Sequence, residues 1–271
     1  MPPDSANTPA KPILHFAHAN SFPAGTYRVF FEHLSPYYDV RALEIHGHNP
    51  AYPVTDGWPH LVQELIDTLA TRYHEPVILI GHSLGGILAL MAAKARPDLV
   101  RCVVMLDSPV VGGWKALALR LFKKLGVDGK FSPAQFSVKR RNMWKSADAA
   151  YQHFAAKEMF AIWPPEVLHD YINAGVVPHA EGVTLKFTRE VETAIYQCLP
   201  DSLGYVLRKP FPTPIGFVGG TESVECRQAG LDATRKLVGD NFVQITGGHL
   251  IPMEVPAATA AATHAMIQKL I

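Results

Sequence analysis

Long apolar runs are missing from this chain of 271 residues. No stretch approaches the roughly 18 consecutive apolar residues that a membrane-spanning helix requires. The opening MPPDSANTPAKP is polar and rich in proline, so it does not read as a secretory signal. Cysteine is scarce and odd in number: Cys102, Cys198 and Cys226 show no C-x-x-C spacing. A disulfide framework or a zinc cluster is therefore not expected. Neither sign of charge is in surplus, with 25 basic and 24 acidic residues, which removes the bulk electrostatic case for nucleic acid or an anionic membrane. These absences point to a reducing, cytoplasmic setting. They leave the oligomeric state open.

Apolar residues are plentiful, 48% against 18% charged, and the chain is long enough for one large α/β domain carrying a sizeable insertion. After a loose tail (1–11), short β-rich runs alternate with helical patterns. The runs are Ile13–Ala17, Val40–Ile45, Val77–Ile80, Cys102–Leu106, Ile215–Val218 and Phe242–Ile245. Brief apolar runs bounded by Pro, Gly and Asp suit buried strands of a parallel sheet. Between them, His60–Arg72 and Ile87–Arg96 carry apolar residues at helical spacing. Strand–helix alternation predicts right-handed crossovers and a doubly wound, mostly parallel sheet.

The alternation stops between about residues 110 and 208. That segment has helical patterns at Trp114–Leu125 and Ala147–Phe160 but no convincing strand series, and it is too long for a plain loop. It predicts a mostly helical cap (110–208) inserted after the strand ending near Leu106, with the core at 12–109 and 209–271. Trp114, Phe122, Phe131, Phe136, Trp144, Phe154, Phe160 and Trp163 fall in it, a density that suits cap packing and an apolar lid. The basic runs Lys123-Lys124 and Lys139-Arg140-Arg141 read as solvated faces.

The strongest chemical signal is Gly81-His82-Ser83-Leu84-Gly85-Gly86, which follows PVILI and opens a helical stretch. A serine on a sharp strand-to-helix turn needs small neighbours, because the strained backbone brings flanking residues together. Such a turn lifts the hydroxyl above the sheet edge and aims the next amide, that of Leu84, at a developing oxyanion beside a helix N-terminus.

On this motif and its setting, nearly the whole chain resembles the α/β-hydrolase family. The resemblance implies a histidine base in the loop after the last strand, and GGHLIP after FVQIT supplies His249. It also implies that the loop His18-Ala19-Asn20 gives the second oxyanion amide, from Asn20, with Ala19 where glycine is usual. The orienting acid has two candidates. Glu222 follows the strand before the histidine strand, and Asp107 follows the strand before the insertion. The shorter carboxylate and its place at a strand end favour Asp107, with Glu222 a near rival.

The stretch His46-Gly47-His48 also matches a family loop. Its histidines, with His18 and His82, read as structural or pocket groups, because no metal-ligand spacing is present. The resemblance implies hydrolysis of a small, partly apolar carboxylic ester or related acyl compound through an acyl-enzyme, with no cofactor and no metal. Amide, thioester and C–C cleavage would use the same residues. Serine at position 83 argues against the relatives whose nucleophile is aspartate. A ligand receptor on the same fold, and an acyltransferase or perhydrolase, stand as alternatives.

Overall fold

The computed structural model describes residues 10–112, 134–201, 203 and 210–271. Most of the expected tail and the predicted helix Trp114–Leu125 lie outside the described residues. Six parallel strands form the central sheet: β1 (Ile13–Ala17), β2 (Asp39–Ala42), β3 (Val77–His82), β4 (Val100–Leu106), β8 (Ile215–Gly220) and β9 (Phe242–Ile245), in the order β2-β1-β3-β4-β8-β9. This is the predicted doubly wound sheet. β2 stops three residues short of the predicted run, since the Glu44 carbonyl accepts instead from the amide of Ala24 at 3.0 Å.

The central strands β3 and β4 read as near-continuous apolar runs because both faces of the sheet are covered there. Side chains alternate between two cores, as the two-residue period of a strand requires. Val77 and Leu79 of β3, with Val103 and Met105 of β4, pack against α2 (Pro59–Arg72) and α3 (Leu84–Ala95). Ile78, Ile80, Cys102 and Val104 face α1 (Arg28–Leu34) and the C-terminal helix Pro256–Leu270.

Between β4 and β8 the described residues include the helices Ala147–Ala155, Pro165–Gly175 and Arg189–Gln197. They also include a three-stranded antiparallel sheet that the sequence did not predict, formed by β5 (Met143–Trp144), β6 (Val176–His179) and β7 (Gly182–Leu185) in the order β5-β7-β6. Strands of two to four residues are too short to display an alternating pattern. Trp144, Phe154, Phe160 and Tyr171 of this segment pack into the same core as α1.

No helix among the described residues is long and apolar enough to cross a membrane.

Candidate active site

Three strand ends converge. β3 delivers Ser83, β4 delivers Asp107, and the loop after β9 delivers His249. Ser83 stands between β3 and α3 with φ 51° and ψ −114°, a conformation that costs a non-glycine residue on the order of 1–3 kcal/mol. Its amide donates to the Leu106 carbonyl at 3.0 Å, which pins the turn to the end of β4. Glycine is required on both sides. A Cβ on Gly81 would lie 2.1 Å from the Gly85 carbonyl oxygen, and one on Gly85 would lie 2.0 Å from that of Ala17.

Serine is a strong helix N-cap because its hydroxyl can accept from the first-turn amides. Ser83 occupies the N-cap position of α3 without making that bond. Its Oγ instead lies 3.0 Å from Nε2 of His249. The Leu84 amide thus stands in the first turn, where backbone N–H groups have no intrahelical carbonyl.

The other ring nitrogen of His249, Nδ1, lies 2.7 Å from Oδ1 of Asp107. A carboxylate only accepts, so Nδ1 carries the proton and Nε2 is left to accept from Ser83. Asp107 is fully buried and, like Ser83, has a positive φ, 40°. Its Oδ2 accepts from the Gly220 amide at 2.6 Å and its Oδ1 from Ser223 Oγ at 2.7 Å. Burial pushes this carboxyl up. The bonds from His249, Gly220 and Ser223 outweigh it and hold the group below its ordinary range.

Burial likewise works against the His249 cation, yet the Asp107 bond and the charges of Glu225, Asp107 and Glu254 leave its pKa above the ordinary value. Glu225 Oε2 lies 3.8 Å from Nδ1. Glu222, the rival candidate, is not brought to the ring: it is exposed, and its carbonyl accepts from Arg227.

Ser223, Cys226 and Glu225 escaped the sequence reading. Ser223 both caps the helix Val224–Ala229, accepting from the Cys226 amide, and donates to Asp107. The Cys226 thiol sits 3.4 Å from Asp107 Oδ1. Burial, then the Asp107 charge, pushes the thiol up to about 12, which keeps it a donor. Ser-x-x-Cys after a strand is a helix-capping pattern, and nothing local in it names a partner more than a hundred positions away.

The loop expected to give the second amide, His18–Asn20, leaves the end of β1. Asn20 is buried, and its Nδ2 donates to the Glu192 carbonyl at 3.2 Å. The histidines of this region bond chiefly to backbone. His18 Nε2 accepts from the His46 amide, and His48 Nε2 from that of Thr188. Among the described residues no three His, Cys, Asp or Glu side chains are grouped as a metal ion would require.

A cavity of about 550 Å³ opens beside the His249 ring. Its walls come from Asn20 in the loop after β1, from Glu254 at the end of the short helix Ile251–Glu254, and from Arg140, Phe154, Lys157 and Glu192 of the inserted segment. Arg140 corrects the expectation of a solvated basic face. Its side chain is only 16% exposed and meets Glu192 Oε2 at 2.9 Å.

A profile described as the alpha/beta hydrolase family matches residues 16–262. No curated protein sequence matches. Among solved structures, the chain is similar to E-2-(acetamidomethylene)succinate hydrolase, with a TM-score of 0.72 and 20% identity over 96% of this chain and 92% of that one. The thioesterase domain from the curacin biosynthetic pathway also gives 0.72, at 17% identity over 96% and 92%. A peroxisomal α/β-hydrolase of Saccharomyces cerevisiae gives 0.73, at 15% identity over 98% and 79%. At such identities the likeness is one of fold.

Proposed function

The chain belongs to the α/β-hydrolase family, and from that premise we propose that it is a serine hydrolase cleaving a small, partly apolar carboxylic ester or related acyl compound. Ser83 is the nucleophile, His249 the base and Asp107 the orienting acid. The observation that carries this reading is the pair of distances at the imidazole, 3.0 Å to Ser83 Oγ and 2.7 Å to Asp107 Oδ1.

The steps follow from the proton positions. Ser83 Oγ attacks the acyl carbon while His249 Nε2 takes its proton. The imidazolium is held by the buried Asp107 carboxylate. The oxyanion accepts from the amides of Leu84 and Asn20, and the positive end of α3 adds to that stabilisation. The protonated ring then gives its proton to the leaving oxygen, which departs as the alcohol and leaves an acyl-enzyme. Water repeats the sequence: His249 accepts its proton, hydroxide adds to the acyl carbon, and Ser83 recovers its proton as the acid product leaves.

The inserted segment (110–208) acts as a cap, closing the cavity over the acyl group and limiting its size. A cavity of about 550 Å³, with Phe22, Phe154, Phe160 and Leu250 among its lining, suits a small, partly apolar substrate.

A panel of p-nitrophenyl esters of increasing acyl length tests the reading. Turnover is expected for short acyl groups, with Ser83→Ala slower by about a thousandfold or more. Full turnover of every ester by Ser83→Ala would overturn it.

A further inference from the structure

The cavity beside His249 has walls of opposite charge. On the inserted segment stand Arg140 and Lys157; on the side of the His249 loop stand Glu222, Glu225 and Glu254. The two cations are neighbours. The Arg140 guanidinium lies 5.7 Å, and the Lys157 ammonium 5.0 Å, from the centre of the same Phe154 ring.

Glu192 neutralises Arg140, and the Tyr171 hydroxyl accepts a bond from the same guanidinium. Among the described residues no carboxylate reaches Lys157 within ion-pair distance. Among the described residues, one positive charge on this wall is therefore left without a carboxylate partner. Its effect registers on the groups around it. The Lys157 ammonium, partly desolvated at the cavity edge although the residue as a whole is exposed, is pushed down by that desolvation and by the Arg140 charge, and His153 is pushed down by desolvation and by Lys157, Arg141 and Arg140.

An ammonium held at the edge of a cavity beside an already paired guanidinium is favoured by a bound anion. A single excess charge matches a carboxylate better than a doubly charged phosphate. The acidic wall opposite repels the same group, so the pair of walls gives an anionic substrate one orientation. Its carboxylate turns toward Lys157, and its neutral acyl carbon turns toward Ser83 and His249.

We propose that Lys157, backed by Arg140, is a specificity-determining anchor for a free carboxylate, so that the preferred substrates are monoesters of short dicarboxylic acids or acyl compounds with a like terminal carboxylate. This rests on the serine hydrolase reading above.

Monoethyl succinate, glutarate and adipate, each paired with the ethyl ester of the monocarboxylic acid of equal length, provide the test. For the best-fitting pair, kcat/KM of the charged ester is expected to exceed that of its neutral partner by about tenfold. The ratio is expected to fall toward unity in Lys157→Gln, to be retained in Lys157→Arg, and to shrink at high salt. Lys157 is exposed, so its substitution spares the fold. Arg140 is left intact because its loss would strand Glu192 and Tyr171.

Ratios at or below one for every pair, with neutral esters turned over, would overturn the anchor and leave the hydrolase standing. Should no ester be turned over, binding to Ser83→Ala by calorimetry decides. Tighter binding of the charged ester supports the anchor, and equal or weaker binding overturns it. Failure of the hydrolase reading has its own signature: esters bound but not cleaved by the wild type, with no reaction at Ser83.

Discussion

Nε2 of His82 lies 2.9 Å from the carbonyl oxygen of His249. The residue that precedes Ser83 thus holds the backbone of the residue whose ring meets Ser83. A carbonyl only accepts, so Nε2 carries the proton and Nδ1 accepts from the Tyr27 hydroxyl at 2.8 Å. Burial, then the His249 charge, pushes the His82 pKa down to about 3, which keeps the ring neutral as this pattern requires. The Tyr27 oxygen in turn accepts from the Ala19 amide at 3.1 Å. One buried chain of bonds ties the His249 loop to the loop that carries Asn20.

Tyr27→Phe removes the middle of that chain and leaves the His82 Nδ1 and the Ala19 amide without their partner. A loss of about 1–3 kcal/mol in unfolding free energy is expected by urea denaturation, with a lower kcat in the folded protein. Unchanged stability and kcat would show that the chain holds nothing in place.

Asp107→Asn and Glu222→Gln separate the two acids. Asparagine cannot stabilise the imidazolium, and kcat is expected to drop by about a thousandfold or more. Glu222→Gln is expected to stay within roughly threefold, since an exposed carboxylate away from the ring contributes little. The reverse ranking in ester turnover would reassign the acid.

Glu225 favours the protonated form of His249. The ring acts as a base only when neutral, so activity is lost as pH falls through its raised pKa. Glu225→Gln removes one of the charges that raise it. The acid limb of kcat/KM is expected to move to lower pH, and a limb that stays put or moves up would show that Glu225 does not act on the ring.

Gly85→Ala drives a Cβ to 2.0 Å from the Ala17 carbonyl oxygen and 2.4 Å from its carbonyl carbon. Both belong to β1, which is paired on both sides and cannot retreat. A cost of about 3 kcal/mol or more is expected, read as a lower urea midpoint or loss of soluble protein.

Much of this layout was legible in the sequence. β1 and β9 have the predicted limits because Pro12 and the Gly247-Gly248 pair bracket runs that pack on both faces. His249 was placed by GGHLIP, and Ser83 by the glycines its turn demands. The acid was harder to read. A carboxylate at a strand end is only slightly favoured over one in a Gly-Gly-Thr-Glu turn, and nothing local says which lies against the imidazole, where Asp107 stands at 2.7 Å. The donors around Asp107 were hidden for a related reason, since Ser223 and Cys226 lie 116 and 119 positions from it. Arg140 sat in a basic triplet whose flanking members are exposed, and no periodicity marks the middle one as turned inward. The strands β5 to β7 are hidden because, at two to four residues, their lengths carry no period, even where β6 and β7 pair as a local hairpin.

The central claim is that His249 activates the Ser83 hydroxyl. Labelling with a fluorophosphonate probe, followed by peptide mapping, tests it most directly. Wild-type protein is expected to carry the adduct on the peptide containing Ser83, with labelling abolished in Ser83→Ala and slowed by orders of magnitude in His249→Ala. Wild-type protein that does not react, or that reacts equally fast once His249 is replaced, would contradict it.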